Sequence, residues 1–185
     1  GVTIEILCWL DDHSRYALSV TAHLRVTVGI VLDTFQAATT AHGTPFSTLT
    51  DNGMVFTTRF SGGKGGRNAF EAELVRRRVV QKNSRPNHPT TCGKVERFHQ
   101  TLKKWLTHQP PARSLRQLQT QLDTFAVYYN HQRPHRARSH AAARGGGRRS
   151  GARRDPVGRG PVRPFQAALN SRLNIAFPGR HFSVP

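Results

Sequence analysis

Apolar and polar residues alternate at the beginning of the chain. The alternation runs from Val2 to Ile6, the chain is then wholly apolar up to Leu10, and a second extended segment, YALSVTA, follows the polar DDHS. Alternation of this kind is typical of β-strands. Aspartate and serine favour turns because their side chains bond to nearby backbone amides. The pattern therefore predicts a β-hairpin with Asp12 and Ser14 in its turn.

The apolar spacing then changes to three and four residues. The residues from Val28 to Phe35 predict a helix, and Gly43 gives it a stop. The segments PFSTLTDNG and VVQKN predict strands, with a helix in AFEAELVRRR between them. Strands that alternate with helices favour an α/β sheet covered on both faces. A further helix is predicted in SLRQLQTQLDTFAVYYN, and its buried face would consist of Leu115, Leu118, Leu122, Phe125 and Tyr129.

The periodicity ends at Ala137. The following segment is composed mainly of arginine, glycine, alanine and proline, and such a segment cannot bury enough apolar surface to offset the entropy lost on ordering. The last residues, FQAALNSRLNIAFPGRHFSVP, contain apolar residues again but too few for a domain, so we expect at most a short element there. We therefore predict a core at residues 1–138 and a largely disordered tail at 139–185.

Composition points to a polyanionic partner. The chain of 185 residues carries a formal net charge of +18, which favours nucleic acid, although an arginine-rich coding sequence would also produce a basic protein. The two cysteines, Cys8 and Cys92, show neither a disulfide framework nor the usual zinc spacing. No apolar run is long enough to span a bilayer. We therefore expect no membrane partner and a cytoplasmic, nucleoid-associated location.

Glu96 is the one acidic residue between Glu73 and Asp123. If TCGKVERFHQTLKKWL is a helix, Glu96, His99 and Lys103 share one face. A carboxylate beside a lysine suits a divalent cation next to a phosphate backbone, while a surface ion pair is the simpler interpretation from this helix alone. The opposite, apolar stripe would consist of Phe98, Leu102, Trp105 and Leu106.

Asp51 makes the metal interpretation more attractive. It is expected at the carboxyl end of a strand, which is where open α/β sheets bind their ligands. The following Asn-Gly lets the chain turn sharply, although DNG is also a common turn sequence without any function. A strand-end aspartate together with a helix glutamate after a proline-rich loop would form part of a two-metal phosphoryl-transfer site.

Several linked motifs resemble one known family. TDNG, SRPNHPTTCGKVERFHQTLKKWL and YYNHQRPH, preceded by LDDHSRYALS, resemble the integrase catalytic core of bacterial insertion-sequence transposases, most closely the IS481 and IS3 types. These belong to the retroviral-integrase superfamily. The resemblance covers roughly residues 2–138. It implies an RNase H-like mixed sheet flanked by helices, here with the first strand missing and a disordered basic tail.

The resemblance also implies a chemistry. The family has a triad of two aspartates and a glutamate that binds two Mg²⁺ (or Mn²⁺) ions about 4 Å apart and cleaves and joins DNA. By motif, Asp51 is the second acid and Glu96 the third, so both are expected to be catalytic and to bind metal. The expected partners are the DNA of the element ends and of the target, and further copies of the chain. The residues expected to contact DNA are His88, Lys94, Arg97, His99, Lys103 and Lys104.

The first acid of the triad is the main departure. In the family it lies on a strand before the LDDHSR hairpin, and the resemblance starts after that strand. Asp11 and Asp12 match the hairpin turn instead, where an aspartate caps the backbone. Two hypotheses remain open: an active Mg²⁺-dependent transposase, or a truncated remnant that binds DNA without catalysis. The helix GKVERFHQTLKKW argues against a third, an RNase H-like nuclease of another kind.

Overall fold

A computed structural model of the chain describes residues 2–58, 66–83, 89–132 and 167–177, and for residues 89–92, 167–173, 176 and 177 it describes only the backbone. The strands are β1 (Val2–Asp11), β2 (Ala17–His23), β3 (Ser47–Thr50), β4 (Val80–Asn83) and β5 (Ala167–Phe177), and the helices are α1 (Val28–His42), α2 (Ala69–Arg76), α3 (Pro89–Leu106) and α4 (Leu115–Val127), which continues into a π-helical turn (Tyr128–Gln132).

The five strands form one mixed sheet in the order β2-β1-β5-β3-β4. β1 is antiparallel to both β2 and β5, whereas β3 is parallel to both β4 and β5. The predicted hairpin, the two short strands and the helices between them are present in the predicted order. The predicted fold class, an RNase H-like mixed sheet flanked by helices, is therefore confirmed.

β1 supplies the centre of both hydrophobic cores because its successive side chains point to opposite faces of the sheet. Ile4, Ile6, Cys8 and Leu10 pack on the face that α3 and α4 cover, which we call the α3-side core. Leu7 and Trp9 pack on the other face, the α1-side core. The helices contribute Val95, Phe98, Leu102, Leu118, Leu122, Phe125 and Tyr129 to the α3-side core, and Val31, Phe35, Phe70 and Leu74 to the α1-side core.

β5 is a strand in the C-terminal part of the chain, within the segment where the sequence allowed a short element. Ala167–Phe177 lies between β1 and β3 and pairs with β1 along ten consecutive residues, from Val2↔Phe177 to Asp11↔Ala168. The sheet is therefore continuous between the hairpin and β3, and Ala167–Phe177 forms the short element that the sequence allowed there. The physical reason is that β1 is buried on both faces, so the polar groups of its backbone need a partner on each edge. Residues 133–138 of the predicted core, and residues 139–166 and 178–185 of the predicted tail, lie outside the described residues.

The turn between β1 and β2 is closed by Asp11. Its Oδ2 accepts a hydrogen bond from the Ser14 backbone amide at 2.8 Å and another from the Ser14 hydroxyl, while Arg15 adopts a positive φ of 64°. The next residue, Asp12, forms ion pairs with Arg15 and with Lys94. The predicted hairpin turn is thus confirmed, and Asp11 caps it.

The ends of α1 follow the sequence signals. The Thr27 hydroxyl accepts a hydrogen bond from the Ile30 amide at 3.3 Å, which caps the N-terminus. Gly43, at a φ of 91°, donates its amide hydrogen to the Thr39 carbonyl at 2.9 Å. This left-handed conformation strains any residue with a Cβ, so glycine is needed at the predicted stop.

None of the helices in the described ranges has the length and hydropathy that crossing a membrane would require.

Candidate functional site

Asp51 directly follows β3, at its carboxyl end. Its Oδ1 accepts a hydrogen bond from the Gly53 amide at 2.7 Å, which begins the turn predicted from DNG. The Gly53 carbonyl in turn accepts the Phe56 amide hydrogen at 2.8 Å. Asp51 is only partly buried. Its Oδ2 is therefore available to a ligand as far as the described residues are concerned.

Glu71 holds the segment that follows Asp51. Its carboxylate accepts hydrogen bonds from the Thr57 hydroxyl at 2.8 Å and from the Thr58 hydroxyl and amide at 2.9 and 3.2 Å. Burial acts to raise the pKa of Glu71, but these bonds and one from the Asn68 amide outweigh it, so the pKa is lowered. Glu71 therefore ties the Asp51 loop to the start of α2.

Sequence reasoning missed Glu71, although a signal for it was present. Asn68 and Glu71 form a capping box, in which each side chain accepts a hydrogen bond from the other residue's backbone amide. The pattern NAFE places an N-cap residue three positions before a glutamate. The pattern predicts a helix start, but it does not indicate that the same carboxylate also binds Thr57 and Thr58.

α3 is amphipathic in the way the sequence predicted. Phe98 and Leu102 are fully buried, and Trp105 and Leu106 pack at the margin of the α3-side core. The Phe98 ring contacts Phe125 and Tyr129 with centroid distances of 5.6 and 4.8 Å. Packing on this side fixes the rotation of the helix about its axis. The residues at the positions between are therefore held facing solvent.

Glu96 lies on the exposed side of α3. Its carboxylate forms neither a hydrogen bond nor an ion pair with any residue in the described ranges. The sequence alone favoured a surface ion pair at Glu96 as the simpler interpretation. Glu96 forms no such ion pair with any residue in the described ranges. Arg97, Lys103 and Lys104 are also exposed and have no ion pair to a described carboxylate. An anionic ligand could approach all three without displacing a protein partner.

Two of the residues expected to contact DNA are less accessible. Lys94 is engaged with Asp12 across the gap between α3 and the hairpin turn. Burial, assisted by the nearby charge of Lys103, lowers the pKa of His99 to about 4. His99 is consequently neutral near pH 7 and can offer a hydrogen bond but no positive charge. His88 lies outside the described residues.

The acids do not complete a two-metal site within the described ranges. No group of three or more His, Cys, Asp or Glu side chains there lies close enough to hold a metal ion. Asp51 and Glu96 offer free carboxylate oxygens, which are the ligands Mg²⁺ prefers. Asp11 is 6% exposed, and its Oδ2 is engaged by Ser14. In the described ranges, the acids predicted to bind metal thus do not form a three-ligand cation site.

Comparison with known proteins gives one family match and similar solved structures. Residues 77–141 match the model of the family described as Integrase core domain. The simian T-cell lymphotropic virus intasome in complex with PP2A regulatory subunit B56 gamma contains a chain with a TM-score of 0.53 and 22% identity. That match covers 69% of this chain and 42% of the viral chain, so this chain spans less than half of its length. The HTLV-2 integrase catalytic core domain in complex with magnesium, in a trimeric form, has a TM-score of 0.51 at 18% identity, over 71% of this chain and 76% of that chain.

The two kinds of similarity concern overlapping parts of the molecule. The family match contains α3 with Glu96 and all of α4. The structural matches extend further, to about seven tenths of the chain, and at these identities they establish the fold. The resemblance recognised in the sequence is therefore confirmed: residues 77–141 match the integrase core family, and the fold is that of integrase catalytic cores.

Proposed function

We propose that this chain acts on DNA in integration or transposition, as the catalytic core of an insertion-sequence transposase. The observation that carries the proposal is the exposed side of α3, where the unpaired Glu96 lies among Arg97, Lys103 and Lys104 within the segment that matches the integrase core family. An exposed carboxylate that no described side chain engages can bind a divalent cation, and the neighbouring lysines and arginine attract phosphates.

The basic residues of α3 would bind the DNA backbone. Lysine and arginine side chains neutralise phosphates and release counterions, which makes such binding strongly dependent on salt. In this proposal Arg97, Lys103 and Lys104 contact phosphates, and His99 donates or accepts a hydrogen bond. Lys94 would join them after separating from Asp12. His88 remains a DNA-contact prediction from the sequence.

Asp51 and Glu96 would bind the divalent cation, Mg²⁺ or Mn²⁺. A bound cation supplies Lewis-acid stabilisation of the charge that develops on phosphate oxygens. The protein's part is to orient the two carboxylates: the Gly53 amide fixes one oxygen of Asp51, and packing of Phe98 and Leu102 fixes the side of α3 that bears Glu96. The HTLV-2 core, which has this fold, is described in complex with magnesium.

The proposed partners are the DNA of the element ends and of the target, together with further copies of this chain. An intasome and a trimeric form are the assemblies described for the two viral integrases. A protein of this function would work at the nucleoid.

A second candidate function is DNA binding without cleavage. It is favoured by the incomplete acid set, since β5 contains neither aspartate nor glutamate and no three-ligand group exists in the described ranges. The two candidates share the DNA-binding surface and differ only in the cation site.

Two assays on the full chain separate the candidates. Strand cleavage and strand transfer on labelled duplex DNA would be measured with Mg²⁺, with Mn²⁺ and with EDTA, in the wild type and in Asp51→Asn and Glu96→Gln. Metal-dependent cleavage that both substitutions abolish supports the transposase. DNA binding that survives both substitutions without any cleavage supports the second candidate, and the absence of salt-dependent DNA binding would contradict both.

A further inference from the structure

We infer that a groove between α3 and the π-helical turn after α4 binds an unpaired nucleotide of the DNA, with its base stacked on aromatic side chains. The inference rests on the proposed function, which supplies DNA as the ligand, and it adds a subsite that holds a base. The groove has a volume of about 500 Å³, within the range of small-molecule sites. The side chains that line it are those of Gln100, Thr101, Lys104, Trp105, His108 and Tyr128.

Two aromatic rings form the apolar part of the groove. Trp105 and Tyr128 are both partly buried, and both pack against the margin of the α3-side core. The Trp105 ring contacts Phe125 at a centroid distance of 5.6 Å. Because this packing already holds the rings, a base that stacks on them orders few additional side-chain torsions. Aromatic rings bind bases of any sequence, since every base has a flat π-face.

The polar groups at the rings suit the rest of a nucleotide. Lys104 is exposed and forms no ion pair with a described carboxylate, so it can neutralise a phosphate. The Trp105 indole N–H and the Tyr128 hydroxyl form no hydrogen bond with any residue in the described ranges. Both groups can therefore bond to a sugar or to the edge of a base.

His108 adds a hydrogen-bond acceptor to the groove. Its Nδ1 lies 2.7 Å from the carbonyl oxygen of Lys104. A carbonyl oxygen only accepts, so Nδ1 of the neutral ring carries the hydrogen and Nε2 is an acceptor. The amino groups of adenine and cytosine are donors of the kind that Nε2 can accept.

The base in the groove has to lie outside a double helix. In a duplex the faces of each base are covered by neighbouring bases, so stacking on a side chain requires an unpaired nucleotide. Lys104 follows Glu96 by eight residues, which is about 12 Å along the axis of an α-helix. One strand of DNA rises about 3.4 Å per nucleotide. The groove would therefore hold a nucleotide about three or four positions from the phosphate at Glu96.

Binding of single strands to the full chain tests the inference. The Kd would be measured by fluorescence anisotropy for labelled oligothymidine and for an abasic strand of the same length, which has the phosphates but no bases. The wild type should bind oligothymidine at least about tenfold more tightly, because stacking adds to the phosphate contacts. Tyr128→Leu should reduce this ratio at least about fivefold. Phe46→Leu removes a ring that is 71% exposed elsewhere on the surface and should leave the ratio within about twofold.

Tryptophan fluorescence gives a second measurement, made on the wild type itself. The chain has two tryptophans, and Trp9 is fully buried, so quenching by a bound base reports on Trp105. Oligothymidine should quench this fluorescence more than the abasic strand does. Trp105→Phe keeps an aromatic ring, so it should lose the quenching and retain most of the affinity.

Three results would overturn the inference: equal binding of the two strands by the wild type, a Tyr128→Leu ratio like that of Phe46→Leu, or quenching that persists in Trp105→Phe. Binding of a blunt duplex is measured alongside. Its absence would contradict the proposed function, whereas intact duplex binding with any of the three results would contradict the groove alone.

Discussion

Lys94, near the beginning of α3, forms an ion pair with Asp12 in the turn between β1 and β2. The two residues are 82 positions apart in the sequence, and each side chain is 36% exposed. Their contact joins the helix that carries Glu96 to the hairpin. The ion pair also engages a lysine that the sequence analysis predicts to contact DNA.

Releasing Lys94 should strengthen DNA binding. In Asp12→Asn the lysine loses its carboxylate partner and becomes available for a phosphate. We expect tighter DNA binding and a salt dependence that is steeper by roughly one phosphate contact, a change of about 0.9 in the slope of log K against log salt. Stability should change by no more than about 1 kcal/mol, because the pair is partly solvated. Fluorescence anisotropy across a salt series measures the slope.

Asp33→Asn is the matched control for this variant. Asp33 is exposed on α1, and its substitution changes the net charge by the same amount. A gain in affinity caused by Lys94 should appear in Asp12→Asn and not in Asp33→Asn. Equal gains in both variants would mean that overall charge alone is responsible.

Glu73 should stabilise the protein above its unfolded pKa of 4.5. Hydrogen bonds from Arg76 and Arg77 hold its pKa at about 2. This stabilisation is present above pH 4.5 and is lost as the pH falls from 4.5 to about 2, because the folded protein resists protonation. Glu73→Gln should lower the free energy of unfolding by about 1–3 kcal/mol at pH 7.

Urea denaturation at several pH values tests this prediction. The difference in the free energy of unfolding between the wild type and Glu73→Gln should shrink steadily as the pH falls from 4.5 to the lowest pH at which the protein is still folded. A difference that stays constant across this range would show that the two arginines do not stabilise the carboxylate.

His99 should make the free energy of unfolding depend on pH between 6.5 and about 4, a higher range than the one in which Glu73 acts. Burial, together with the charge of Lys103, lowers its pKa from 6.5 to about 4, so the unfolded chain binds a proton more readily than the folded protein. The stability is therefore fully present above pH 6.5 and declines as the pH falls toward 4, by at most about 1.4 kcal/mol per pH unit. In His99→Gln the decline should be shallower.

The exposed His108 provides the comparison. His108→Gln removes the same kind of group from the surface near the end of α3. Chemical denaturation at pH 7, 6, 5 and 4.5 should give a flatter profile for His99→Gln than for His108→Gln. Parallel profiles for the two variants would contradict the assignment of this pH dependence to His99.

A proline in β5 should unfold the sheet if β5 is its central strand. Proline cannot donate a ladder hydrogen bond and is excluded from strands paired on both sides. Ser171→Pro should cost about 3 kcal/mol or more, whereas Ser171→Ala should change the stability by less than about 1 kcal/mol. Thermal unfolding followed by circular dichroism distinguishes the two. If the proline variant melts like the wild type, β5 does not contribute to the sheet.

The candidate site could be predicted only in part. Asp51 and Glu96 could be proposed because each lies in a local motif, a turn after a strand and a polar position on an amphipathic helix. The engagement of Lys94 by Asp12 and the double role of Glu71 were not predictable, because both depend on contacts between segments distant in the sequence. The lowered pKa of His99 depends on how deeply α3 packs, which the pattern of α3 does not specify.

The sequence by itself determined the order of the hairpin, the helices and the strands through Asn83, and the buried stripes of α3 and α4. These features follow from local periodicity and turn chemistry, which act over a few residues. Only the tertiary structure decided the place of Ala167–Phe177, because its partner β1 is more than 150 residues away in the chain. This weakly alternating segment becomes a central strand because β1 and β3 each have an edge that must be hydrogen-bonded.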